Sequence, residues 1–167
     1  MKPSPAQIEA GNYRKEHVRL RGLDISIENP VGSTRSGTDR TGKSWSIKMR
    51  NAYGYVRGST GADGEHVDCY LGPDQDADTV YVVHQRRVGD WDQYDEDKAM
   101  IGFASEKDAK EAFLAHYTDP RFLGPITAMP FDEFKTKVLA TKDEPKMIKA
   151  LLFLKTKAPQ RIVVIRS

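Results

Sequence analysis

Along residues 17–30 the apolar side chains fall on alternate positions, with Val18, Leu20, Leu23, Ile25 and Ile27 separated mostly by polar neighbours. A period of two marks a half-buried strand. The stretch therefore reads as one strand or a bent strand pair, closed by Pro30, which cannot donate to a ladder. The same reasoning predicts strands at WSIKM (45–49), YGYV (53–56), HVDCYLG (66–72), TVYVVHQ (79–85) and AMIGF (99–103). The glycine- and serine-rich stretch 32–44 and the acidic stretch 89–98 read as turns between them. DPRFLGPITAMP (119–130) reads as a loop or short strand.

The period then lengthens. In SEKDAKEAFLAHY the positions Ala109, Ala112, Phe113, His116 and Tyr117 share one helical face, and Ser105 is the candidate N-cap with Asp108 three residues on. FDEFKTKVLA (131–140) is a second helix, and residues 4–10 a short one. The last 21 residues read as a helix followed by an edge strand. Strands first and helices after argue for an α+β fold: a small antiparallel β-barrel of about five or six strands with helices at its side. We expect a domain over 17–140, an N-terminal extension over 1–16 and a C-terminal one over 141–167.

Composition narrows the function classes. A chain of 167 residues suits one domain. With 26 basic and 24 acidic residues the net charge is +2, which leaves no broad nucleic-acid footprint. The single cysteine, Cys69, excludes an internal disulfide and a cysteine-rich zinc site, and reads as core in a reducing, cytoplasmic setting. No apolar run long enough for a membrane helix is present. A homo-oligomer is left open.

Two motif matches are decoys. GTDRTGKS (37–44) fits the phosphate-loop pattern G-x-x-x-x-G-K-[ST]. That loop needs a buried strand before it and a helix after it, whereas ENPVGSTRS precedes and the alternating WSIKM follows. It reads as a turn. DQDADT (74–79) opens like a calcium loop, but Thr79 stands where glycine is needed and Gln85 where glutamate is.

The informative stretch is YGYVRGSTGADGEHVDCYLG (53–72). Asp63, Glu65 and Asp68 lie within six residues. Carboxylates this close repel unless a positive group joins them, and hard oxygen donors suit Mg2+ or Mn2+. A second acidic run, with Asp90, Asp92, Asp95, Glu96 and Asp97, precedes Lys98. If HVDCYLG and TVYVVHQ pair as a hairpin, the two clusters meet at one sheet edge. Arg35, Arg40, Lys43, Lys48, Arg50, Arg57 and Lys98 are the cations at hand for phosphate oxygens, with Tyr53, Tyr55 and Tyr117 nearby in the pattern.

These residues resemble the soluble inorganic pyrophosphatases, which carry a Tyr-Gly-Tyr strand followed by D-G-D-P-x-D; here the acid motif reads Asp63-Gly64-Glu65-His66-Val67-Asp68. The segments AGNY, IENPVGSTRSG, GK-W, GADG-HVD-YLGP and DE-K-MIGF further resemble pyrophosphatase-like domains of phage and mobile-element proteins, over about residues 8–140. The resemblance implies an OB-like core and Mg2+-dependent hydrolysis (or Mn2+-dependent) of inorganic pyrophosphate, a small phosphate substrate. It implies metal-binding roles for Asp63, Glu65, Asp68, Glu96, Glu28 and Asp95 (or Asp92). Catalytic roles fall to Glu65, Asp68, Lys98, Tyr53 and Tyr117, and phosphate-binding ones to Arg35, Lys43 and Lys48. Three positions depart from the pattern: Glu65 replaces aspartate, His66 replaces proline, and Thr118 replaces lysine, with Arg121 a candidate to compensate. His66 is the histidine to watch. Two other readings keep the fold: hydrolysis of a nucleotide pyrophosphate bond, and a non-catalytic binding or virion-associated module.

Overall fold

The computed structural model describes residues 16–149 with their side chains, and the backbone of 151–156 and 160–165. The helix expected at 4–10 and the AGNY motif lie outside the described residues. The strands are β1 (Glu16–Leu20), β2 (Leu23–Asn29), β3 (Thr34–Thr38), β4 (Ser44–Lys48), β5 (Ala52–Val56), β6 (Val67–Leu71), β7 (Thr79–Arg87), β8 (Asp90–Ile101), β9 (Ile126–Pro130), β10 (Leu151–Thr156) and β11 (Gln160–Ile165). The helices are α1 (Glu106–Ala115) and α2 (Phe131–Ala140), with a 3-10 turn at Pro120–Phe122. Seven strands form one curled half-barrel sheet in the order β1-β2-β5-β6-β8-β7-β9. The architecture is α+β, as the patterning predicts.

The expected bent pair at 17–30 is the hairpin of β1 and β2, folded at Arg21 and Gly22. Ser105 caps α1, its hydroxyl accepting from the Asp108 amide at 3.1 Å. Gly54, between the two tyrosines of β5, is demanded by packing: a Cβ there would sit 1.9 Å from the Ser26 carbonyl oxygen. Any side chain would push β2 off β5.

Four expectations change. Residues 32–44 are not one long turn, because β3 and β4 pair as a hairpin outside the main sheet. The strand Thr-Arg-Ser-Gly-Thr has no apolar residue to betray it. The acidic stretch is not a turn either: β8 begins at Asp90 and runs through it. β6 and β7 do not form a hairpin. β8 lies between them, parallel to β6 and antiparallel to β7. Beyond residue 150 the described backbone is the β10–β11 hairpin, and no helix is found among those residues.

Each face of the sheet is covered. On one, Val56, Val67, Cys69, Val80, Val82, Ala99 and Ile101 pack with Phe131, Phe134 and Val138 of α2 and with Ile148. On the other, Tyr53, Tyr70, Tyr81, Val83 and Met100 pack with Ala109 and Phe113 of α1. Phe134 and Phe113 are fully buried, and truncating either to alanine costs about 3–5 kcal/mol.

Candidate active site

Strand alternation puts Tyr53, Asp68, Tyr70, Gln85, Glu96 and Lys98 on the α1 face. The register brings them level: Tyr53 faces Tyr70, Asp68 faces Lys98, and Gln85 faces Glu96. The insertion of β8 next to β6 thus does what the expected β6–β7 hairpin cannot. It lays the Glu96–Lys98 segment directly beside Asp68.

Lys98 is the hub. It is 3% exposed, and its ammonium donates to Asp68 Oδ2 at 2.6 Å, Glu96 Oε1 at 2.7 Å and the Tyr53 hydroxyl at 2.8 Å. Tyr53 in turn donates to Asp68 Oδ2 at 2.6 Å. Arg35 reaches in from β3. Its guanidinium lies 4.1 Å above the Tyr53 ring and 4.9 Å from the Trp45 ring, with Nη2 at 3.3 Å from the Tyr53 hydroxyl. Gly37 gives that tryptophan room, since a Cβ there would stand 2.8 Å from its ring. Tyr117 follows α1, stacks on Phe113 at 4.2 Å, and donates to Gln85 Oε1 at 2.6 Å.

Burial opposes the charge on Lys98, but Tyr53, Tyr117, Asp68 and Glu96 outweigh it and hold its pKa well above the ordinary value. Burial also keeps the Tyr53 hydroxyl protonated. The two carboxylates divide the ammonium unequally. Burial works against the charge on Asp68, yet Lys98 and the Tyr53 hydroxyl keep its pKa low. Glu96 is pushed up to about 7, first by burial and then by the neighbouring Asp68 charge.

Other expected residues stand apart from this hub. Asp63 and Glu65 are exposed on the turn before β6, where the Glu65 amide donates to Asp63 Oδ1 at 3.0 Å. Asp95 is the extra residue of a β-bulge, between the pairs Gln85–Glu96 and Arg86–Tyr94. Glu28 sits on β2 where its register with β5 shifts. Lys48 occupies the exposed face of its hairpin, and Lys43 the exposed tip. Arg121 is committed to Asp119 at 2.7 Å and to the Trp91 ring at 4.6 Å. His66 is exposed, with Nδ1 against the Ser59 carbonyl and its ring stacked on Tyr55 at 4.3 Å. Cys69 is fully buried on the opposite face, and burial pushes its thiol pKa up.

The phosphate-loop match is the β3–β4 turn. Asp39 Oδ1 accepts from the Thr41 amide at 2.9 Å, the Thr41 hydroxyl at 2.6 Å and the Lys43 amide at 3.1 Å. The donors that a true loop offers to phosphate are taken by the chain's own carboxylate.

A family model described as inorganic pyrophosphatase matches residues 5–139. The chain belongs to the inorganic pyrophosphatase family. No curated protein is similar enough to add a relative to that match. Pyrophosphatases of this family usually need divalent metals. Among the described residues no group of three or more His, Cys, Asp or Glu side chains forms a metal cage. What the pyrophosphatase fold does bring together is a pair, Asp68 and Glu96, on one ammonium. Two hard carboxylates fit an ion of the Mg2+ kind, which keeps waters and takes substrate oxygens beside one or two carboxylates. They do not fit a closed structural site.

Sequence reasoning passed over three residues. The sequence pattern gives Gln85 only a strand position, Trp45 only a strand and the GK-W turn, and His116 only a helix face. Strand parity opposite Glu96 flags Gln85 only once the strand expected at 99–103 is extended back through the acidic stretch.

Proposed function

We propose that this chain hydrolyses inorganic pyrophosphate to phosphate with Mg2+ or Mn2+. The observation that carries the reading is the Lys98 hub on a pyrophosphatase-family fold: a buried ammonium tied to two carboxylates and a tyrosine, with Arg35 above. Asp68 and Glu96 would hold the ion; the family resemblance adds Asp63, Glu65, Glu28 and Asp95 as further oxygen donors, although in this structure they stand apart from the hub. Bound there, the ion would supply positive charge to the phosphoryl oxygens and acidify water.

The chain's own residues then have distinct tasks. Lys98 and Arg35 place fixed positive charge where the leaving phosphate gathers negative charge, in a site that water screens poorly. Tyr53 holds both cations and Asp68 in one geometry, so little has to reorganise. Glu65 suits the role of proton acceptor better than Asp68 does. The Asp68 carboxylate is engaged by Lys98 and Tyr53, whereas no hydrogen bond or ion pair holds the Glu65 side chain among the described residues.

The test is phosphate release from pyrophosphate with Mg2+. The native chain should release phosphate, and Asp68→Asn should release far less. No release by the native chain, or full release by the variant, rejects the reading. A second reading rests on the same lysine, whose ammonium engages both acids and leaves them less free for an ion, as in a site that binds phosphate without turnover. Pyrophosphate binding without Mg2+ and without phosphate release would select it.

A further inference from the structure

Gln85 has no part in the chemistry above, yet it is only 6% exposed and lies on the face of Glu96 and Lys98. Its amide is oriented by a chain of hydroxyls. The Tyr70 hydroxyl lies 3.5 Å from that of Tyr117, which donates to Gln85 Oε1 at 2.6 Å. With the carbonyl oxygen committed to Tyr117, the NH2 group is the free end of an amide carried opposite Glu96. Among the described residues it donates to no protein acceptor, and it is not one of the polar atoms sealed from solvent without a partner. An amide held at its carbonyl end by protein, with its donor end left open, is placed to meet a ligand acceptor. The acceptor that suits it is an anionic oxygen, because Lys98 offers only donors.

We infer that Gln85 is a substrate-positioning residue. Its NH2 donates to a phosphoryl oxygen of a diphosphate, and Tyr117 acts through it by fixing the amide rather than by touching substrate. The inference rests on the diphosphate reading of the site. A neutral donor that meets the same oxygen before and during reaction contributes to binding more than to turnover. Its removal should therefore raise KM and spare kcat.

The experiment uses the full chain with Mg2+ and pairs two readouts: calorimetric binding of imidodiphosphate, a non-hydrolysable diphosphate, and steady-state kinetics on pyrophosphate. Gln85→Leu should weaken binding about tenfold and raise KM by a similar factor, with kcat nearly unchanged. Tyr117→Phe should shift both in the same direction by less, and should add nothing in the Gln85→Leu background, because one residue acts through the other. Gln85→Glu, nearly isosteric, covers the case in which the leucine fails to fold; its carboxylate should weaken binding further. A native chain that binds the analogue as tightly as both Gln85 variants overturns the inference alone. So does a Tyr117→Phe effect that persists in full without Gln85. A native chain that binds no imidodiphosphate overturns the diphosphate reading and this inference with it.

Discussion

The two faces of the sheet each bury a carboxylate of β8 beside a basic side chain, and they finish the job differently. On the α2 face Asp97 has both oxygens satisfied by protein, one by His84 Nδ1 and one by the Ile148 amide, each at 2.6 Å. The other ring nitrogen of His84 meets the Thr127 hydroxyl at 2.6 Å. That network is closed. On the α1 face, one residue either side along the chain, Glu96 and Lys98 meet Asp68. There a single ammonium serves two carboxylates, and Glu96 is left with its pKa raised to about 7 by burial and by Asp68. That network is short of positive charge. Buried polar groups that are fully paired rigidify a fold, whereas an uncompensated pair marks a place prepared for a ligand. On the proposed function, alternation along one strand gives Asp97 a structural part and Glu96 a chemical one.

The sharpest way to break this contrast is to remove the hub. Lys98→Met should lower kcat/KM on pyrophosphate about a thousandfold, the scale of losing a pre-placed charge in a dry site. An Mg2+-dependent rate within tenfold of native would show that the open network is not the site. Next comes the closed network. Asp97→Ala leaves His84 Nδ1 and the Ile148 amide without their carboxylate and should cost about 3 kcal/mol in urea unfolding. The folded fraction should keep its turnover. If turnover fell while stability held, the division between the faces would collapse.

How far this contrast could be read from sequence depends on charge. The β5, β6 and β7 strands and both helices of the described region declare themselves by period, because their buried positions are apolar. The acid motif and Lys98 were legible through residue type and family resemblance. What stayed hidden was β3 and the first half of β8. Their inward positions carry Arg35, Gly37, Trp91 and Glu96, which binary patterning files as turn or solvent. The sheet order was equally hidden. Nothing local says that β8 inserts beside β6, since that neighbour relation joins residues 30 apart, Asp68 and Lys98. Without it, Asp68 and the Glu96–Lys98 segment belong to unconnected strands.

A smaller effect sharpens the open side. Arg35 lies between the Trp45 and Tyr53 rings, and stacking of this kind is worth about 0.5–2 kcal/mol. Trp45→Ala should free the guanidinium and raise KM about tenfold, while Trp45→Phe recovers most of the loss. An unchanged KM in Trp45→Ala would mean that Arg35 is held by Tyr53 alone, and that the hairpin contributes no alignment.

The smallest effect asks whether closure, rather than the face, makes a network structural. His116 lies on the α1 side but is fully paired. Its Nε2 accepts from the Arg50 and Asn51 amides at 3.0 and 3.3 Å, and its Nδ1 donates to the Ala112 carbonyl at 2.6 Å. This arrangement needs the neutral ring. Burial first, and then the charges of Arg50 and Arg35, lower its pKa below the ordinary 6.5, against the Ala112 carbonyl. The unfolded chain therefore binds a proton that the folded one resists, and the stability contributed is complete above pH 6.5. It drains away as pH falls through the lower folded value. Urea midpoints measured downward from pH 7.5 should hold until about 6.5 and then decline, and His116→Asn should flatten that part of the decline. A variant with native pH dependence would place the titrating group elsewhere. A variant that lost turnover at neutral pH with its stability intact would make His116 part of the open network after all.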